Sequence, residues 1–296
     1  MSVVASAGGA DRQISRWRGG AGRGATPYLL LVPGALVVAT FLGSLVVAGG
    51  ISLRDANGAL SLVQYKRFFT DPFYLDFLWR SLRIAAYSTP ITLLLGYPYA
   101  YVMARSSPPA RLALTLILVI QLFTSDVVRA YALILVFGNN GIVNRALMGL
   151  GLIDSPIPLL FHEAGVAIGL ILVPLPFMIF PIYSVLKNIE GNLETAAASL
   201  GANRARTFLY VTLPLSLPGI LAGVVLAFLF DLTAYVIPGM LGGGYFNMIA
   251  NAVFDQAMAV LDKRFAAAIS MSLLLVTLAI LYLIHVIGSR IRRAER

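Results

Sequence analysis

The chain has 296 residues, of which 59% are hydrophobic and 12% are charged, and its mean hydropathy is +0.85. This is more apolar surface than one soluble core can bury, so the composition predicts an integral membrane protein. The absence of cysteine excludes disulfides and thiolate metal sites. A net charge of +9 would suit a nucleic-acid partner, but the distribution of the basic residues, described below, argues against one.

The chain begins with a polar tail, which is followed by apolar runs. Residues 1–26 are rich in Gly, Ala and Arg and predict a disordered cytoplasmic tail; an organelle transit peptide is the alternative, but no amphipathic face is evident. The next run is too long for a signal-peptide core and should remain as an uncleaved span. Because a span needs about 20 mostly apolar residues, we predict an all-α membrane protein with about six spans, near 28–51, 82–104, 112–124, 164–186, 215–237 and 266–287.

The segments between these spans differ in character. Residues 52–79 mix charged and aromatic side chains, which is typical of short helices at a membrane face. Residues 130–162 contain turn signals and prolines and are expected to be partly re-entrant on the non-cytoplasmic side. A transmembrane domain therefore covers 27–288, and 289–296 form a basic C-terminal tail that is expected in the cytoplasm.

The charges are sorted between the two sides of the predicted membrane domain. Six spans put both tails and the loops 105–111 and 187–213 on one side, which holds thirteen basic and four acidic residues. The rest of the chain holds nine of each. This is the asymmetry that the positive-inside rule predicts, so both termini and the 187–213 loop should face the cytoplasm.

The 187–213 loop has the sequence signals of two short helices. Asn192 can cap the first helix, Glu194 suits its positive N-terminal end, and Gly201 lies where a left-handed C′ residue is expected. Asn203 can cap a second helix that reaches Pro214, where the next apolar run begins. The pattern predicts a polar helix pair held between two spans.

The spacing in this loop resembles that of ATP-binding-cassette importer permeases, which have Glu-Ala-Ala, three residues, Gly, nine residues, Ile, one residue and Leu-Pro. Here the matching positions are Thr195-Ala196-Ala197, Gly201, Val211 and Leu213-Pro214, so Thr195 replaces the family's acid and Glu194 precedes it. The resemblance implies that the loop couples the chain to an ATPase, through the residues Glu194, Thr195, Ala196, Ala197, Gly201, Arg204, Leu213 and Pro214.

The resemblance extends from about residue 28 to the end and is closest to the spermidine/putrescine-type class. The matching stretches are Leu95-Gly-Tyr-Pro-Tyr-Ala-Tyr101, Ala104-Arg105, Val128-Arg129-Ala-Tyr131, Gly138-Asn-Asn-Gly-Ile142, Gly151-Leu-Ile-Asp154, Leu175-Pro-Phe-Met178 and Tyr235-Val-Ile-Pro-Gly-Met-Leu-Gly-Gly243. The resemblance implies the type I importer permease fold in the inner membrane. It also implies two ATPase subunits, a second permease and an extracytoplasmic solute-binding protein as partners, besides membrane lipid.

The chain lacks the residues for its own ATP hydrolysis. A phosphate loop ends in Gly-Lys-Ser/Thr, and the three lysines, Lys66, Lys187 and Lys263, follow Tyr, Leu and Asp. If ATP drives the protein, ATP and Mg²⁺ are used by a separate ATPase chain, and this chain binds no cofactor. His162 and His285 have no ligand-spaced neighbours, and no catalytic cluster is present, so a transport subunit is favoured over a membrane enzyme.

Charges and tyrosines within the spans are the candidates for a substrate path. Asp126 and Arg129 share a helix face and can form either a structural ion pair or part of the path. Asp231 can line the path or hydrogen-bond between helices, and Tyr235 can stack on a substrate. Many polyamine permeases have an acid where this chain has Ala234, and Asp231 is one helical turn away and could replace it.

We therefore expect the permease subunit of an importer for a small organic solute. The resemblance favours a polyamine such as spermidine or putrescine, and it leaves opines and aminophosphonates open. An ion-gradient-driven secondary transporter that uses Asp126 and Asp231 as ion sites is the alternative function.

Overall fold

A computed structural model describes residues 26–55, 57–189, 193, 196–197 and 199–294. The N-terminal tail through residue 25 lies outside this part of the chain, as do the predicted loop residues Asn192, Glu194 and Thr195. Apart from one isolated antiparallel bridge between Arg54 and Leu60, all regular structure in the described residues is helical. The predicted all-α fold is confirmed.

Five helical stretches in the described residues are long and apolar enough to cross a membrane, namely Leu31–Ser52, Asp126–Gly149, Glu163–Asn188, Arg204–Leu232 and Lys263–Ile284. The first lies in helix α1 (Thr26–Ser52), which contains Pro33. Among the described residues, those up to Gly50 form one unit and those from Ile51 onward form a second unit, to which the remaining helices belong.

The second predicted span is part of a much longer helix. Helix α2 (Val63–Thr70) is followed by helix α3 (Pro72–Arg105), which runs without a break. The N-cap of α3, Asp71, accepts a hydrogen bond from the backbone N–H of Phe73 at 3.0 Å. The prediction of short surface helices is therefore right for α2 and wrong for 72–79. A proline at the first helical position and an aspartate cap begin this helix early, whereas the charges and aromatics here suggested a surface segment.

The third predicted span is a short apolar helix, α4 (Pro108–Phe123), of 16 residues. The chain turns at residues 124–125 and continues as α5 (Asp126–Phe137) and, after the predicted turn at 138–141, as α6 (Ile142–Gly149). The region expected to be partly re-entrant thus contains a stretch of spanning length. Hydropathy averaged over the polar residues at 124–129 concealed this second helix.

The fourth predicted span consists of α7 (Glu163–Leu172) and α8 (Leu175–Asn188), which are separated by a turn at Val173 and Pro174. The fifth predicted span forms α10 (Leu213–Leu232). It is preceded by α9 (Arg204–Thr207) and a π-helical turn (Phe208–Thr212). Pro214 does not separate a loop helix from the span, because a proline in the first turn of α10 leaves the helix unbroken. The span ends at Leu232 and not near 237.

The last part of the chain has α11 (Val236–Leu241), α12 (Ile249–Phe254), a π-helical turn (Asp255–Ala259) and α13 (Lys263–Ala294). Helix α13 contains the sixth predicted span and continues into the basic C-terminal residues.

Helices α3, α8 and α10 pack against one another and form the centre of the second unit. Met103, Met178 and Ile182 are fully buried between them. Small residues allow the close approach: a Cβ atom built on Gly219 or Gly223 of α10 would lie 2.8 Å from a backbone oxygen of α8. In a membrane this packing replaces the hydrophobic effect as the force between helices.

Candidate functional site

The described part of the predicted ATPase-coupling loop has the expected backbone. Ala196 and Ala197 are helical, and the amide N–H groups of Leu200 and Ala202 donate to their carbonyl oxygens at 3.1 and 3.0 Å. Gly201 follows with φ of +83°, the left-handed conformation predicted for a C′ glycine. Glu194 and Thr195, the residues that depart from the family pattern, lie outside the described residues.

The second half of the loop also begins as predicted. The side chain of Asn203 accepts a hydrogen bond from the backbone N–H of Arg206 at 2.9 Å and caps the helix that starts at Arg204. Leu213 and Pro214 lie in the first turn of α10. The helical run from Arg204 to Leu232 therefore joins the loop directly to the centre of the bundle.

Apolar side chains of this polar loop are exposed. Leu200 has 90% of its surface accessible and Tyr210 has 78%. Both side chains are therefore accessible to a partner chain.

Asp126 and Arg129 form the predicted ion pair, with 3.1 Å between Arg129 Nη1 and Asp126 Oδ1. Arg129 Nη2 also donates to the carbonyl oxygens of Gln121 at 2.9 Å and Thr124 at 2.6 Å. The guanidinium group thus holds the turn between α4 and α5. The pair also lines a cavity of about 410 Å³ together with Phe177.

Asp231 lies in a different environment from that pair. Its side chain is fully buried and faces α3, where Ser88 Oγ donates to Oδ2 at 2.5 Å and Thr89 Oγ1 lies 3.5 Å from the same oxygen. Oδ1 has no hydrogen-bond partner in the described part of the chain. Asp231 is not among the residues that line the cavities at Arg129 or Tyr235.

Tyr235 lines a larger cavity, of about 540 Å³, between α11 and α12. Its ring lies 4.6 Å from that of Phe254, and its backbone oxygen accepts a hydrogen bond from Asn251 Nδ2 at 3.0 Å. Asn247 and Asp255 contribute an amide and a carboxylate to the same wall.

The sequence analysis missed Asn247, Phe254 and Asp255 as candidate site residues. They lie between the fifth and sixth predicted spans, where no substrate-path residue is predicted from the sequence. The polar residues Asn247, Asn251 and Asp255, which recur every four positions as on one face of a helix, were the available signal, but their convergence on Tyr235 depends on the turn at Gly242 to Gly244. Within the described residues, no group of His, Asp and Glu side chains could hold a metal ion.

Comparison with known proteins identifies the family of this chain. Residues 73–293 match the model of the family described as "Binding-protein-dependent transport system inner membrane component". The spermidine/putrescine transport system permease protein PotB of Escherichia coli (strain K12) is 33% identical over 268 residues, which cover 89% of this chain and 97% of PotB. PotB of Haemophilus influenzae is 32% identical over 251 residues, which cover 83% of this chain and 84% of that protein.

A solved structure shares the fold. A chain of a bacterial ABC transporter involved in the import of the acidic polysaccharide alginate superposes with a TM-score of 0.74 over 95% of this chain and 99% of that chain, at 18% identity. The protein therefore belongs to the binding-protein-dependent transport system inner membrane components and is a multi-pass, non-catalytic permease subunit of an ATP-binding-cassette importer, which works with a binding protein and separate ATPase chains.

Proposed function

We propose that the transported solute is a polyamine of the spermidine or putrescine type. The observation that carries this proposal is the 33% identity to PotB, a spermidine/putrescine permease, over 97% of the length of PotB. A match over nearly the whole of both chains includes the helices that line the path as well as the coupling loop.

The chemistry of the Tyr235 cavity supports a cationic solute. The aromatic rings of Tyr235 and Phe254 can interact with an ammonium group, and Asp255 and Asn247 supply hydrogen-bond acceptors. Within the part of the chain that the structure describes, no basic residue lines this cavity. An aminophosphonate or an opine carries phosphonate or carboxylate groups and would need a basic partner here, so the cavity favours a polyamine over these two classes.

We further propose that Tyr235 lines the substrate path, whereas Asp231 positions α10 against α3. Ser88 and Thr89 face the Asp231 carboxylate from α3, so this carboxylate is directed away from the Tyr235 cavity. Asp255 then takes the place of the acid that is missing at Ala234. Asp126 and Arg129 form a neutral pair, which suits a cavity wall better than a cation-binding site.

The loop 187–213 is the proposed docking element for the ATPase subunits, with Leu200 as its apolar contact. Closure of the two ATPase subunits would move the loop, and the helical run from Arg204 to Leu232 would carry this movement to α3 and α8. A second permease subunit completes the path. The asymmetry of basic residues supports a transmembrane domain of 27–288 with cytoplasmic tails, 1–26 and 289–296.

The test begins with the tagged chain purified gently from its native membrane and the co-purifying chains identified by mass spectrometry. We expect an ATPase with a phosphate loop, a second multi-span chain and a binding protein. The assembled complex in proteoliposomes should take up radiolabelled spermidine or putrescine only with ATP inside, and an ionophore that collapses ion gradients should have no effect. A complex whose ATPase lacks the phosphate-loop lysine is the matched control.

Uptake of an opine or an aminophosphonate by the same proteoliposomes, without uptake of either polyamine, would refute the proposed substrate. The family assignment would stand in that case, because it does not depend on the solute.

A further inference from the structure

A third pocket, of about 290 Å³, lies between the first turns of α3 and the segment from Gly244 to Gln256. We call it the Gln256 pocket; Tyr74, Asp76, Arg80, Tyr245, Asp255 and Gln256 line it. It shares Gly244, Asn247 and Asp255 with the Tyr235 cavity, so the two are adjacent. In the proposed orientation it lies on the extracytoplasmic side, because it is formed at the end of α3 opposite Arg105.

The pocket contains a buried acceptor that lacks a donor. Gln256 is only 9% exposed, and its Nε2 donates to the hydroxyl of Tyr74 at 3.0 Å. This contact fixes the amide, and Oε1 has no hydrogen-bond partner in the described residues. Because buried polar atoms are nearly always paired, an unpaired carbonyl oxygen in a pocket wall indicates a place for a hydrogen-bond donor.

The charges of the pocket leave one carboxylate without a partner. Asp76 is neutralised by Arg80, with 2.6 Å between Asp76 Oδ2 and Arg80 Nη2. Asp255 is exposed, and its carboxylate makes no ion pair or hydrogen bond with the described residues. Asp255 directly precedes Gln256, so a negative charge and an unpaired acceptor belong to the same wall. The three charged residues that line the pocket sum to a charge of −1.

The unpaired Gln256 oxygen and the Asp255 carboxylate together match a primary ammonium group, which has three hydrogen-bond donors, one positive charge and no acceptor. Phe73, Phe77 and the 82% exposed Tyr245 supply aromatic surface for the methylene chain next to the ammonium group. Because the pocket shares Asp255 with the adjacent Tyr235 cavity, a ligand with a second ammonium group several methylenes away would bring that group toward the Tyr235 cavity.

We propose that the Gln256 pocket binds one primary ammonium group of the incoming solute at the outer end of the permease, with Asp255 and Gln256 as its acceptors. The inference rests on the proposed function for the identity of the solute. It adds a binding site outside the Tyr235 cavity and a requirement for a primary amine at one end of the molecule.

The absence of cysteine in this chain allows a direct test. Tyr245→Cys places one thiol at the pocket in the assembled complex, whose other chains are made cysteine-free. The rate of its modification by a cationic and by an anionic membrane-impermeant methanethiosulfonate reagent is then measured. We expect faster reaction with the cationic reagent, and protection by putrescine and spermidine but not by 1,4-butanediol, which has the same chain length and no charge.

Two further variants in the same background test the acceptors. Asp255→Asn should lower the cationic to anionic rate ratio about fivefold and raise the putrescine concentration needed for protection about tenfold. Gln256→Met should raise that concentration and leave the rate ratio unchanged, since it removes an acceptor without a charge. Asp154→Asn, a change of an exposed acid on the same proposed side, is the matched control and should have no effect.

The thiol-labelling assay tests the binding site and the uptake assay tests the proposed substrate, so each proposal can be refuted without the other. Protection by diamines together with no polyamine uptake would refute the proposed substrate and keep the site. Uptake of spermidine with equal rates for both reagents, or with diamine protection unchanged in Asp255→Asn, would refute the site and keep the proposed substrate. A thiol that reacts with neither reagent would also overturn the inference, because the pocket would not be open to the outside.

Discussion

The contact between α10 and α8 is close enough that one methyl group should disturb it. A Cβ at Gly219 would lie 2.8 Å from the carbonyl oxygen of Pro181, and one at Gly223 would lie 2.8 Å from the carbonyl oxygen of Met178. Ordinary contact begins at 3.4 Å, so the helices would have to separate by about 0.6 Å. Both obstructing atoms belong to the backbone, which cannot move aside as a flexible side chain can.

The expected cost follows from two opposing effects. Overpacking of this kind costs about 1 to 3 kcal/mol, and replacing a helical glycine by alanine returns about 1 kcal/mol of backbone entropy. Gly219→Ala or Gly223→Ala alone should therefore lower stability by about 1 kcal/mol. In the double variant one displacement of the helices relieves both contacts, so the loss should be about 1.5 kcal/mol, which is less than the sum of the two single losses.

The assay is the midpoint of thermal unfolding in detergent, followed by tryptophan fluorescence. At about 2 to 4 °C for each kcal/mol, the double variant should unfold about 3 to 6 °C below the parent chain. Gly149→Ala, a helical position where an added Cβ meets nothing within 4 Å, is the matched control and should not lower the midpoint. A double variant that unfolds within about 1 °C of the parent would refute the packing argument.

Three further predictions concern the loop and the buried polar groups. Gly201→Val should cost about 1 to 2 kcal/mol locally, because a branched residue disfavours φ of +83°. It should also lower the amount of solute imported per ATP hydrolysed, whereas Gly201→Asn should retain coupling. An equal amount of solute imported per ATP in both variants would contradict the docking role. Arg129→Lys loses the planar fork that joins Asp126 to two carbonyl oxygens, so the unfolding midpoint should fall by more than in Asp126→Asn, with a cost of about 1 to 3 kcal/mol. Ser88→Ala should cost about 2 kcal/mol of stability, since it leaves the buried Asp231 carboxylate with one long contact to Thr89. Adding Asp231→Asn should recover part of the loss. Additive losses in the double-mutant cycle would show that the two side chains do not interact.

Local sequence signals predicted the backbone conformation of the 187–213 loop at the residues that the structure describes there. Gly201 and Asn203 adopt the left-handed and capping conformations that their residue types favour, because these features depend on neighbouring backbone atoms alone. The apolar runs likewise located α1, α8, α10 and α13. The roles of individual loop residues in coupling remain predictions.

Helix boundaries were predicted less well where several local signals compete. Charges and aromatics near Trp79 suggested a surface segment, yet α3 continues through them, since its other face packs on α12 and α13, where the ring of Tyr74 lies 4.8 Å from that of Phe265. Pro214 suggested a boundary, but it lies in a first helical turn, where its missing N–H is not needed. The run of apolar residues past Leu232 concealed the turn before α11, because hydropathy does not register a change of direction.

The sequence by itself determined an all-helical membrane protein without a phosphate loop of its own. The residues alone left a gradient-driven transporter open, and the family match removed it. Only the tertiary structure decided which charges face which neighbours. It paired Asp231 with Ser88 across two helices and brought Asp255 and Gln256 beside Tyr74, 182 residues from Gln256 along the chain. Such contacts depend on how helices far apart in sequence pack, which residue periodicity within one helix does not specify.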